Sequence, residues 1–192
     1  MNRNAICLLV VVLIVGCGER IPIIVSQYNS EAFGFGFTIP EDLERGGWGV
    51  IDAEDATVRH SFAPPDTSTW EAVAVIVPPG HLFPLLSPIF VDVFYVRDPA
   101  TTPSALADKK VERVGARLLS RKSMSAGGLS LEQVVYGNGD DVTYETYAVG
   151  NNLGYAFLAQ GAPDSTQTTS TFLVDSGSYD RIVSTFRLST PR

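Results

Sequence analysis

Hydrophobic and polar positions alternate along most of this chain, and the places where they do not alternate mark its other elements. From Glu31 onward the period is mostly two. Phe33, Phe35 and Phe37 alternate with Gly34, Gly36 and Thr38, which predicts a strand with one aromatic face. Pro40-Glu41-Asp42 then predicts a turn, and Trp48-Gly49-Val50-Ile51 and Ala56–Phe62 read as the next strands. Pro64-Pro65-Asp66 predicts a loop. Trp70–Val77 is a strong strand, stopped by Pro78-Pro79-Gly80, and Ile89–Val96 is another, with Val91, Val93 and Tyr95 on one face.

The period changes at Thr102-Pro103, a helix start with Thr as N-cap and Pro at the first helical position. Ala107, Val111, Val114 and Leu118 follow at spacings of four, three and four, one helical stripe, interleaved with Leu106, Lys110, Arg113 and Arg117. Period two then returns. Ser120–Ser125 and Leu129–Tyr136 flank Ala126-Gly127-Gly128, and Val142–Val149 and Leu153–Gln160 flank Gly150-Asn151-Asn152; both are hairpin signals. A short closing helix places Tyr179, Ile182, Val183 and Phe186 on one stripe. Seven or eight strands, mostly hairpin-linked, and two helices predict an α+β fold with a largely antiparallel sheet.

One apolar run fits neither period. Ala5–Val15 is unbroken over 11 residues behind a thin positive region at Arg3. A spanning helix needs roughly 17–25 apolar residues, so this run has the length of a signal-peptide core instead. It ends in Ile14-Val15-Gly16-Cys17, which resembles the lipobox of bacterial lipoprotein precursors. In that reading residues 1–16 are a cleaved signal peptide and Ile14, Val15 and Gly16 are the peptidase recognition residues. Cys17 supplies the thiol for a diacylglyceryl thioether and, once freed, an amine for acylation. Residues 17–30 are then the lipidated terminus and tether, and 31–192 a single globular domain. The competing reading is a short uncleaved anchor that contains a cysteine. The lipobox resemblance implies an exported protein of the cell envelope, held to the cell membrane or the outer membrane by lipid. A single acyl chain anchors only marginally, at about 0.8 kcal/mol per buried methylene, whereas two or three anchor stably. Gly18 follows the cysteine where Asp commonly marks inner-membrane retention, a lean toward the outer membrane.

Composition narrows the remaining possibilities. Hydrophobic residues make up 45% and charged residues 18%, so a core can form. The net charge of -7 repels nucleic-acid phosphates, and no basic-aromatic run compensates, so nucleic acid is not an expected partner. The two cysteines, Cys7 and Cys17, are both used by the leader and the lipid, which predicts a domain without thiol or disulfide. The two histidines, His60 and His81, read as ordinary polar positions on a strand and in a loop; no metal site, cofactor or catalytic set is expected. No Ser sits in a G-x-S-x-G pattern. Gly137-Asn138-Gly139-Asp140-Asp141 reads as a calcium loop or, needing the same residues, as a hairpin turn.

Pro78–Pro88 is the most unusual segment, because it places Leu82, Phe83, Leu85 and Leu86 between prolines. It reads either as a loop that contacts a partner protein or membrane, or as one folded back onto the core.

The whole order resembles the PsbP-like family, whose fold also serves the Ran-GTPase-binding Mog protein. The resembling residues are Phe33–Asp42 with Trp48, the helix from Thr102 to Leu119, and the closing Ile182-Val183-Ser184-Thr185-Phe186-Arg187. The Pro-rich stretch Val77–Pro88 departs from the pattern. The resemblance implies a largely antiparallel sheet flanked by helices on both faces, an α/β/α sandwich, with no active site to carry over. It implies a non-enzymatic accessory protein that binds or stabilises a membrane-associated complex. The alternative is a carrier with an apolar pocket for a lipid or small molecule, lined by the Phe33/Phe35/Phe37 face.

Overall fold

The computed structural model describes residues 25–56, 60, 62–66, 69–78, 88–138, 141–161 and 174–189. Most alternating segments form strands close to their predicted bounds. In chain order the elements are β1 (Gln27–Ser30), β2 (Phe35–Thr38), α1 (Glu41–Arg45), β3 (Gly49–Asp52), β4 (Trp70–Val77) and β5 (Ile89–Tyr95). They continue with α2 (Pro103–Val114), β6 (Arg117–Ala126), β7 (Leu129–Asn138), β8 (Asp141–Gly150), β9 (Leu153–Gly161), α3 (Ser176–Val183) and β10 (Arg187–Leu188). Ala56, His60 and Phe62, read as part of a strand, lie outside any strand. Pro40-Glu41-Asp42 opens the five-residue helix α1 rather than a plain turn.

Seven strands pair antiparallel in the order β3-β4-β5-β9-β8-β7-β6. β6 to β9 form a meander whose turns follow their residues. Gly127 and Gly128 (φ 55° and 80°) and Asn151 and Asn152 (φ 54° and 60°) take the left-handed conformation that two-residue hairpins of this hand require. The α2 start is also as predicted: the Thr102 side chain accepts from the Ala105 amide, and Gly115 closes the helix at φ 60°.

The α/β/α sandwich is overturned. The face of the large sheet carrying Val91, Val93, Tyr155 and Phe157 is covered chiefly by a second, three-stranded sheet, β1-β2-β10, with the two-turn α3 beside it. Of the described helices only α2 is longer than eight residues, and it lies on the opposite face with Phe62. Two-residue periodicity says that one face of a strand is buried; it does not say in which sheet the strand pairs. β2 turns Phe35 and Phe37, both fully buried, onto Tyr155, Phe157 and Phe186, at ring separations of 5.2 to 5.9 Å. It therefore lies across the large sheet instead of joining it. Burial of each ring contributes about 1.5–3 kcal/mol. Polar staples fix the crossing: the Tyr28 hydroxyl donates to Val73 O at 2.9 Å and the Tyr155 hydroxyl to Phe33 O at 2.8 Å. Gly36 permits the close approach of β1, because a Cβ there would stand 2.4 Å from Asn29 Oδ1 and 2.8 Å from Tyr28 O.

Residues 27–30, assigned to the tether, are thus part of the fold, and the Val25 amide and carbonyl bond Val50 at 2.9 and 2.8 Å.

Candidate functional site

The face under α2 is built from alternate residues of β4, β5, β9, β8 and β7, and three of its positions carry carboxylates. On β5, Phe90, Asp92 and Phe94 share this face. Ala72 of β4 and Ala156 of β9 stand opposite Asp92 and leave room for its carboxylate. On β8, Glu145 and Tyr147 face the helix, and on β7 Tyr136 and Glu132 do. α2 closes the layer with Leu106, Ala107 and Lys110, all buried. The predicted stripe Ala107, Val111, Val114 and Leu118 is rotated from this: Val114 and Leu118 are each 41% exposed, and Lys110 takes the inward position.

Lys110 and Glu145 form the centre. Their Nζ and Oε1 lie 3.1 Å apart, with both side chains almost fully buried. Lys110 also donates to Ala63 O at 3.3 Å and sits 5.1 Å from the Phe62 ring centroid. Both oxygens of Glu145 accept from tyrosines, Oε1 from Tyr136 and Oε2 from Tyr147. Burial, reinforced by the adjacent Glu145 charge, holds the Tyr136 and Tyr147 hydroxyls protonated far above the ordinary phenol range. They act as donors only, so the carboxylate has a full set of partners.

His60 and Asp92 form a second pair at 2.7 Å, with the Asp92 side chain fully buried. The imidazole stacks on Phe90 at 3.9 Å and tilts against Trp70 at 5.3 Å. Burial pushes the Asp92 carboxyl up, against the pull of His60 and Lys110, and Glu145 pushes in the same direction as burial. Asp92 Oδ1 has no hydrogen-bond partner among the described residues. At the outer end, Glu132 accepts from Arg121 and from the Ser123 hydroxyl. Burial pushes its carboxyl up, and these two donors more than offset that.

Chemically, this cluster is a set of mutually neutralising charges. It holds an acid–imidazole pair, but no group of three or more His, Cys, Asp or Glu among the described residues could hold a metal. A cleft of about 360 Å³ beside the α2 start is lined by Thr101, Thr102, Ser130, Val149, Asn151 and Asn152 among others, with no charged side chain. It supplies neither acid nor base.

Sequence reading left the internal cluster unnoticed, although its signal was present. Asp92 sits between Phe90 and Phe94 on one face of a strand whose other face is Val91 and Val93. A carboxylate flanked on its own face by two large apolar residues marks burial with a partner. Of the positions singled out in the sequence, Ile14, Val15, Gly16 and Cys17 lie outside the described residues, as do His81 and Leu82, Phe83, Leu85 and Leu86. In the candidate calcium loop, residues 139 and 140 also lie outside; Asn138 and Asp141 pair across the β7–β8 hairpin.

Comparison with solved structures places this architecture. The solution structure of cyanobacterial PsbP (CyanoP) from Synechocystis aligns over 89% of this chain and 95% of its own, with a TM-score of 0.54 at 15% identity. The fold is PsbP-like. A protein of unknown function from Pseudomonas aeruginosa aligns over 73% of this chain and 83% of its own, at 9% identity and a TM-score of 0.34 too low to carry an argument. No protein-family model matches the chain, and no curated protein sequence does. At this identity the PsbP-like likeness concerns the fold alone. No helix among the described residues is long and apolar enough to cross a membrane.

Proposed function

We propose that this chain is a lipid-anchored, non-enzymatic accessory protein of the cell envelope that binds or stabilises a membrane-associated protein complex. The observation that carries the reading is a PsbP-like fold with protein side chains where a carrier would hold its cargo. The Phe35 and Phe37 rings meet Tyr28, Tyr155, Phe157 and Phe186 at separations of 5.2 to 5.9 Å. An aromatic face filled in this way supports the binding reading over the carrier reading. The central ion pair supports it too, since Glu145 is held by Lys110 and two tyrosines under α2 instead of pointing at a substrate.

Membrane attachment is assigned to lipid on Cys17, with Ile14, Val15 and Gly16 directing cleavage, and the apolar loop Leu82, Phe83, Leu85 and Leu86 is a candidate contact. The test follows both parts in the native host. Labelled palmitate should enter the wild-type chain and not Cys17→Ser, and mass spectrometry should find the mature terminus at residue 17. Native electrophoresis of gently solubilised membranes should show the protein in a complex much larger than itself, depleted by Phe83→Ser with Leu86→Ser. An unmodified terminus would end the anchor reading. A wild-type chain that runs only as a free monomer would end the accessory reading.

A further inference from the structure

The two edges of the large sheet are treated differently. The β3 edge is four residues long and is met by Val25, which bonds Val50 through both backbone groups. The β6 edge is ten residues long. Among the described residues its backbone pairs with β7 alone. Nine of its ten residues, all but the terminal Ala126, are at least partly open to solvent, eight of them exposed. The two-residue turn makes Ala126↔Leu129 the closing hydrogen-bonded pair, so Ser125, Ser123 and Arg121 turn their amide and carbonyl groups outward. This is a free template for another strand.

Its side chains define what fits. The stretch from Asp108 to Lys122 carries six cations (Lys109, Lys110, Arg113, Arg117, Arg121 and Lys122) against Asp108 and Glu112, in a chain of net charge -7. Lys110 is buried, and Arg121 and Lys122 are tied to Asp108, Glu132 and Asp180. Arg117 is exposed and makes no ion pair among the described residues. Beside it lies an apolar corner: Val114, Leu118 and Leu119 are 41%, 41% and 44% exposed, three of the five large hydrophobic residues exposed in the described chain. A β-bulge between Leu118 and Ser120 brings this corner to the strand's start. Antiparallel pairing of β6 with a second copy of itself would set Arg117, Arg121 and Lys122 of each copy along one seam. Like charges placed opposite one another oppose that pairing. Arg117, the one of these three without an ion pair among the described residues, attracts a strand of opposite sign.

We propose that β6 is a docking edge for an extended acidic segment of a partner protein. The segment would add as an eighth strand, with alternating carboxylates toward Arg117 and its neighbours and an apolar residue over Leu118 and Leu119. This deepens the accessory reading and rests on it only in taking the partner to be a protein.

The test uses the full chain in neutral detergent micelles and a synthetic peptide of alternating Glu and Val. Two control peptides alternate Lys and Val, or carry a central Pro in the Glu/Val sequence. At about 1 mM peptide, the Glu/Val peptide should slow amide hydrogen exchange at Arg121, Ser123 and Ser125, and neither control should. Ser125→Pro removes one outward donor without touching the β7 pairing and should abolish the protection. Arg117→Glu leaves the backbone intact and should weaken binding by about fivefold. The proposal is overturned if the Glu/Val peptide leaves β6 exchange unchanged. Equal protection by the Pro-interrupted peptide would also overturn it, as would binding of the corner to anionic vesicles with no peptide binding. Peptide binding with only free monomer in native membranes would sink the accessory reading and leave the edge assignment standing.

Discussion

Replacing Lys110 with methionine should cost the protein about 3 kcal/mol, the lower end of what losing one partner of a buried ion pair costs. Methionine keeps the length of the unbranched stem, so most of the loss comes from Glu145, which is 2% exposed and keeps only its two tyrosine donors. Glu145→Leu should cost more, about 4 kcal/mol, because it strands the Lys110 ammonium and two buried hydroxyls together. The double variant removes both charges and leaves only the hydroxyls unpaired. It should cost about 2 kcal/mol, far below the roughly 7 kcal/mol that additivity gives. Urea unfolding of all four proteins, followed by the fluorescence of Trp48 and Trp70, measures the cycle. A Lys110→Met cost under about 1 kcal/mol, or a double variant within about 0.5 kcal/mol of the sum, would refute the assignment of this pair as the centre of the layer.

Three further outcomes follow from the same structure. The Asp92 carboxyl is pushed up in the folded state, so its contribution to stability is fully present below the unfolded value near about 4 and is lost as pH rises through the folded value. Stability of the wild type relative to Asp92→Asn, which keeps the shape, should therefore fall as pH rises above about 4 in parallel urea titrations; a flat difference contradicts it. Gly154→Ala places a Cβ 2.4 Å from the Phe94 ring, which is 1% exposed, and should cost about 1–3 kcal/mol in the same unfolding assay. Thr102→Ala removes the side-chain acceptor for the Ala105 amide at 3.2 Å and should cost about 1 kcal/mol, with early amide exchange in the first turn of α2 and little elsewhere.

Local signals in the sequence translated well where one residue type serves one geometry. Gly127-Gly128 and Asn151-Asn152 gave their turns, Thr102-Pro103 gave the α2 start, and the proline after Val77 ended β4. What stayed illegible depends on partners far along the chain. β2 has the alternation of a main-sheet strand, yet it pairs with β1 and with β10, whose Arg187 stands opposite Gly36. Nothing within a short window records that choice. The α2 stripe was misplaced for a related reason. Counting apolar residues favours Val111 and Val114, whereas Glu145 and the two tyrosines on the sheet select Lys110 for the inner face.

Strand order also sets the order in which this chain can fold. β6 to β9 are neighbours in sequence and in space, so their pairing closes only short loops. β5 belongs in the middle of the sheet, beside β9, and its register sets Ile89 opposite Ala159, 70 positions later. That closure confines a long stretch of chain before any packing rewards it, and such contacts slow folding. The meander is therefore the early unit and the β5–β9 seam the late one. Until the seam closes, Tyr155 and Phe157 lie on an open edge strand of an incomplete sheet. The chain would be most vulnerable to mispairing with a neighbour in that interval, and substitutions at the seam would show first as slower folding and lower yield.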